Sequence, residues 1–251
     1  MTEPAVRYWK ASDGVALAFH EVGHGRPVVL LHGLFSDALM NWIKFGHAER
    51  IAARGFRVIM PDLRAHGLSG KPHEPEAYPK GILARDVREL VEYLALGEFD
   101  LGGFSLGART TVEAVGEGLQ PRRAILGGAG LEGLRHWERR KHFFVEAIAL
   151  FDRVARGDPH WLSVQFMKSQ KVDRVASALL LESFADAPDK SLAAFTMPTL
   201  VVCGSEDEDN GSAEELAAAL PNATFRQVPG THMSSVTKPE LGQAIADFLA
   251  A

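Results

Sequence analysis

The chain is 251 residues long, 46% hydrophobic and 24% charged, enough to bury one large core without requiring a second domain. A formal net charge of -5, with no Lys/Arg cluster interleaved with aromatics, gives no electrostatic footprint for a nucleic-acid partner. No apolar run approaches the ~20 residues that cross a bilayer, and Met1-Thr2-Glu3-Pro4-Ala5-Val6-Arg7 shows no charged-then-apolar export signal, so the expectation is a cytoplasmic protein without a membrane partner.

Residues 7–10 and 16–20, joined by Ser12-Asp13-Gly14, read as an edge hairpin with Asp-Gly at its turn. His20-Glu21-Val22-Gly23-His24 then matches the zinc-protease spacing letter for letter. That motif needs a helix to bring both imidazoles to one face, whereas Val15, Leu17 and Phe19 alternate with strand period and Gly23, Gly25 and Pro27 break a helix; no metal site is expected. Strand-like runs follow at 28–31, 57–60, 99–102, 123–126, 199–203 and 224–228. Amphipathic pieces precede most of them, with Ile51 and Ala52, then Ile82, Val87, Leu90, Val91 and Leu94, then Leu216, Ala219 and Leu220 as their apolar positions. Strands alternating with helices predict right-handed crossovers and a mostly parallel sheet covered on both faces. The lone cysteine, Cys203, lies inside an apolar strand run and reads as a small core residue.

Between Gly130 and Met197 the chain is far longer than an ordinary α/β connection of about 2–6 residues, so it must carry structure of its own. Phe144, Ile148, Phe151 and Ala155 recur at helical spacing, as do Val175 and Leu179 leading to Phe184, and Trp161, Phe166 and Met167 form another apolar group. The expected organisation is a core of residues 1–130 and 197–251 with a small helical lid at 131–196. Phe35, Phe144, Phe151, Trp161 and Phe166 are the aromatic candidates for lining a substrate pocket beneath it.

Gly103-Phe104-Ser105-Leu106-Gly107 carries the chemistry. It follows a buried strand run and precedes the helix-like stretch 108–115, the setting of a nucleophile elbow, in which small residues let strand and helix pass closely around a strained serine. A serine hydroxyl needs an imidazole to take its proton and a carboxylate to orient that imidazole. His232, in the loop before the C-terminal helix at 240–249, is the only histidine beyond the inserted segment, and Asp207 sits just past the strand run 199–203. Asp209 and Glu132 are alternative acids. The oxyanion of a tetrahedral intermediate would be received by the backbone N–H groups of Leu106 and Leu34, while His32 and His66, each beside a glycine turn, read as loop fasteners.

Leu30-Leu31-His32-Gly33-Leu34, Pro61-Asp62-Leu63-Arg64-Ala65-His66-Gly67-Leu68-Ser69, the elbow, Thr199-Leu200-Val201-Val202-Cys203-Gly204 with Asp207, and Pro229-Gly230-Thr231-His232 together resemble the α/β-hydrolase superfamily in its esterase-like branch. The resemblance implies a mostly parallel eight-stranded sheet flanked by helices, with the lid inserted after the sixth strand. It also implies no cofactor, and Ser105, Asp207 and His232 as the catalytic triad. Two positions depart from the pattern: Ala65 stands where glycine is usual, and Ala108 replaces a frequent second glycine after the elbow. Serine at 105 argues against epoxide opening and halide displacement, because relatives with those chemistries carry aspartate there. The expected activity is hydrolysis of small, neutral carboxylic esters through an acyl-enzyme, an apolar lid without a cationic clamp being the ground for neutrality. A ligand receptor on the same scaffold, a perhydrolase or haloperoxidase, and a carbon–carbon bond hydrolase are the alternatives. Oligomeric state is not legible.

Overall fold

The computed structural model describes residues 4–251, so the export-signal reading rests partly on three residues outside the described ones. Ala5–Lys10 (β1) and Ala16–Gly23 (β2) form the expected edge hairpin, and Arg26–Leu31 (β3) begins the parallel part of the sheet. His20 and His24 therefore belong to a strand and its end, not to a helical face. His47–Ala52 (α1) leads into Phe56–Pro61 (β4), and Ile82–Tyr93 (α2) into Asp100–Phe104 (β5). Leu106–Gly116 (α3) then leads to Ala124–Gly127 (β6). The strand order is β1-β2-β4-β3-β5-β6, continued by Thr199–Gly204 (β7) and Ala223–Val228 (β8). β1 and β2 run antiparallel to their neighbours; every other pairing is parallel, giving the eight-stranded, mostly parallel sheet.

Alternation along β3 shows why the strand must be apolar throughout: Val29 and Leu31 join one buried cluster, and Val28 and Leu30 join the cluster on the opposite face. The first cluster is completed by Ile82, Leu83, Val87 and Leu90 of α2, the second by Ile51 of α1 together with Leu241, Ile245 and Leu249. The buried charge that opens β5, Asp100, is tolerated because its Oδ2 accepts from Arg26 Nε at 2.8 Å across the start of the sheet.

Between β6 and β7 the chain builds five helices: Leu131–Arg135 (α4), Trp137–Ala149 (α5), Trp161–Ser169 (α6), Arg174–Glu182 (α7) and Asp189–Ala193 (α8). α7 starts where Asp173 accepts the N–H groups of Val175 and Ala176. α5 ends at Ala149, before Phe151, so the expected periodic run of 144–155 is cut short by a turn. Ala213–Ala219 (α9), His232–Ser235 (α10) and Pro239–Ala250 (α11) complete the chain. Among the described residues no helix is long and apolar enough to cross a membrane.

Candidate active site

β5 runs two residues further than its apolar pattern suggests and delivers the chain directly to Ser105, whose N–H donates to Gly127 O of β6 at 2.8 Å. Ser105 has φ 54 and ψ -107, in the region that side chains rarely occupy, and Leu106 begins α3 immediately afterwards. Two glycines make the bend possible. A Cβ on Gly103 would overlap the backbone of Gly107, and one on Gly107 would overlap the Leu31 carbonyl, so α3 can sit against β5 and β3 only with both positions bare.

The candidate acid and base come from the ends of β7 and β8. Asp207 follows β7, and His232 opens α10, which Thr231 caps: its Oγ1 accepts from Ser234 N–H while Ser234 Oγ accepts from Thr231 N–H. That box fixes the backbone at His232, and the imidazole Nδ1 lies 2.8 Å from Asp207 Oδ2. Asp207 Oδ2 also accepts from Cys203 Sγ at 3.3 Å, and Oδ1 accepts from Asp209 N–H at 3.2 Å. Burial pushes the Asp207 carboxyl up, but the hydrogen bond and charge of His232, with the thiol and the Asp209 N–H, outweigh it and hold the group below the usual carboxylate range. The same burial and the neighbouring carboxylate push the Cys203 thiol up to about 12, so it serves as a donor and not a nucleophile. Asp209 and Glu132, the alternative acids, are exposed, whereas the Asp207 side chain is 1% exposed. The His232 ring packs 5.0 Å from Phe104, beside the elbow, but no hydrogen bond joins it to the Ser105 hydroxyl among the described residues.

Asp207, Asp209 and His232 each offer a ligand atom within 4.8 Å of the others. Nδ1 and Oδ2 of the pair already face one another across a hydrogen bond, and a cation at ~2.0–2.2 Å from each would have to replace that proton. The geometry is that of an oriented imidazole.

The loop after β3 holds Leu34 with its N–H unengaged among the described residues, while its neighbours are fastened: Gly33 N–H donates to Asn41 Oδ1 at 3.0 Å and Phe35 N–H to His66 Nε2 at 3.1 Å. Leu106 N–H, at the first position of α3, is free by helix geometry. His66 Nδ1 faces Arg64 O at 2.9 Å; His32 Nδ1 faces Gly33 O at 2.8 Å and its Nε2 accepts from Leu63 N–H at 2.9 Å. Both rings are therefore neutral fasteners with the proton on Nδ1, as the sequence suggests. Burial lowers both, His66 to about 3. An imidazole that resists protonation only when folded stabilises the fold fully above its unfolded value and progressively less as pH falls toward its folded one. Burial raises Glu113 to about 7, and that carboxyl acts in the opposite sense over the same window. The clean measurement is hence a difference: between pH 7 and 5 the wild type should lose about 2 kcal/mol more urea stability than His66→Gln. Parallel pH slopes for the two proteins would refute it.

Ser105 opens into a cavity of about 30 Å³, room for roughly two water molecules, lined also by Leu34, Leu106, Arg109, Leu134, Trp137, Arg140, Phe144 and Asn210. Of the five aromatic candidates only Phe144 lines it. Phe35 lines a separate cavity of about 360 Å³ with His20, Asp62 and His66, and meets Phe144 edge-on at 5.7 Å. Phe151 lies between Lys168 and Arg174, Phe166 packs into the small cluster around Val164 and Met167, and Trp161 is half-buried at the start of α6. Helical docking explains the difference: α5 turns Trp137, Arg140 and Phe144, spaced i, i+3, i+7, toward the serine, and this stripe was the available signal. Two cationic side chains, Arg109 and Arg140, also line the cavity, where the sequence reading expected an apolar lining. Burial lowers Arg109 to about 10 and also lowers Arg140.

Residues 26–124 match the family model described as alpha/beta hydrolase fold. The chain is 27% identical over 224 residues, 80% of its length and 81% of the relative's, to the AB hydrolase superfamily protein YisY of Bacillus subtilis (strain 168). It is 24% identical over 255 residues, 87% of its length and 89% of the other's, to the non-heme chloroperoxidase CPO-A1 of Kitasatospora aureofaciens. Among solved structures, an esterase from Exiguobacterium antarcticum superposes with a TM-score of 0.80 at 18% identity, over 97% of this chain and 99% of that one. With the sheet order and the elbow, these findings show that the chain has the α/β-hydrolase fold.

Proposed function

We propose that this chain is a serine hydrolase of small carboxylic esters. The observation that carries the reading is Ser105 held at φ 54 at the head of α3, opening into a cavity lined also by Leu34 and Leu106, whose N–H groups are unengaged among the described residues. Ser105 Oγ attacks the ester carbonyl, His232 takes its proton and returns it to the leaving alcohol, and Asp207 keeps the imidazole proton on Nδ1. Leu34 and Leu106 N–H receive the oxyanion. Water then enters by the same route and releases the acid. The hydroxyl and imidazole close their hydrogen bond when substrate binds, a tightening common in free enzymes. Helices α4–α8 act as a lid, since an ester exceeds the present cavity and the roof must move to admit it.

The likeness to a chloroperoxidase favours a second use of the same acyl-enzyme, in which hydrogen peroxide replaces water and leaves as a peracid. Purified protein treated with a fluorophosphonate should label at Ser105 and, untreated, should turn over p-nitrophenyl butyrate for many cycles, with peroxide competing measurably or not. Absence of labelling sinks the serine reading. Labelling without repeated turnover makes the chain a receptor instead.

A further inference from the structure

Two other guanidinium groups that are wholly or partly buried have carboxylate partners: the fully buried Arg64 is held by Asp86 and Asp13, each at 2.9 Å, and the half-buried Arg26 by Asp100. The two arginines that reach the Ser105 cavity do not. Arg109, 8% exposed, donates to the carbonyls of Ala185, Gly133 and Leu134 and lies over the Trp137 ring at 4.9 Å. Arg140 donates from Nη1 to the Asp209 carbonyl and lies over the Phe144 ring at 5.6 Å. Among the described residues neither forms an ion pair. The acids nearest in effect to Arg140 are Asp209, whose side chain faces water, and Asp207, which is committed to His232.

Two cations at one small cavity without a counter-ion are costly unless a ligand supplies the charge. Backbone carbonyls consume the terminal nitrogens of Arg109, which fixes its charge in place, whereas Arg140 keeps most of its five N–H donors for a planar oxyanion. We propose that the substrate ester carries a second, free carboxylate, seated against the Arg140 guanidinium and within the field of Arg109. Substrates of this class are hemiesters of short dicarboxylic acids or O-acyl hydroxy acids. The inference rests on the esterase reading above and replaces neutrality with a single negative charge on the substrate. Arg140 then sets specificity and Ser105 performs the chemistry, so the charge selects which ester is aligned for attack.

The test compares near-isosteric esters that carry a carboxylate or the corresponding neutral amide: 4-nitrophenyl hemiglutarate against 4-nitrophenyl glutaramate on the acyl side, and 4-acetoxybenzoate against 4-acetoxybenzamide on the alcohol side. In at least one pair the wild type should favour the anionic ester in kcat/KM by about tenfold or more, and Arg140→Gln should erase that ratio while Arg140→Lys restores part of it. Equal kcat/KM within both wild-type pairs, or a ratio unchanged in Arg140→Gln, overturns the proposal while leaving the esterase reading intact. If none of the four esters is hydrolysed, the esterase reading falls, and calorimetry with glutarate decides the anion site alone. Glutarate bound by wild type and about tenfold more weakly by Arg140→Gln upholds the site, and no binding to wild type removes it.

Discussion

Ser105→Ala is expected to lower ester turnover by roughly 10⁵–10⁶, to the residual level set by binding and the oxyanion donors, and to abolish fluorophosphonate labelling. The fold should be untouched, because Ser105 Oγ belongs to no hydrogen bond that holds the core together, and the strained backbone is shared by alanine and serine alike. Ser105→Gly separates strain from chemistry. Glycine accepts φ 54 without a Cβ clash, a relief of about 1–2 kcal/mol, from which the greater freedom of the unfolded chain removes up to about 1. The glycine variant should thus be inactive and melt at or slightly above the alanine variant, a sign that the elbow stores strain for function. A glycine variant that melts several degrees below the alanine variant would mean that the serine conformation is unstrained. Retention of more than about a hundredth of wild-type turnover by the alanine variant would remove Ser105 from the chemistry.

What the sequence reveals of this molecule follows from the range over which each feature is determined. The elbow is a five-residue steric solution, and the parallel strands are apolar on both faces, so spacing and composition carry them. The pairing of Asp207 with His232 is legible because β7 and β8 must end at the same edge of the sheet, which brings residues 25 positions apart to 2.8 Å. The departure at Ala65 is legible as an oddity only, and the structure gives its physical content: φ 70, a left-handed position where glycine would be unstrained. The roof over the site is another matter. Which face of α5 meets the serine depends on how five short helices dock, and a run such as Trp137-Glu138-Arg139-Arg140 reads as a solvated helix until that docking is known. Arg109 is hidden for the same reason. One turn past the elbow, it looks like an exposed charge on a helix, yet its guanidinium is buried against backbone carbonyls of the inserted segment.

Asp207→Asn should cost roughly 10⁴ in kcat with little change in KM. The carboxylate oxygen facing His232 accepts the Nδ1 proton; an amide placed there can offer its NH₂ instead, and the imidazole then carries its proton on Nε2, the nitrogen that receives the serine proton in the proposed mechanism. The same substitution leaves a mismatched group beside Cys203 Sγ and Asp209 N–H, so a loss of about 1–2 kcal/mol in urea stability should accompany the loss of rate. Asp209→Asn and Glu132→Gln are the controls, because both side chains are exposed and neither forms a hydrogen bond to the imidazole. Each should retain turnover within about threefold of wild type, the scale of a surface-charge change near a site. A ranking in which Asp209→Asn or Glu132→Gln falls by orders of magnitude while Asp207→Asn does not would transfer the orienting role to that residue. It would also imply that the 2.8 Å contact is broken in the reacting enzyme, since two acids cannot both receive one Nδ1 proton.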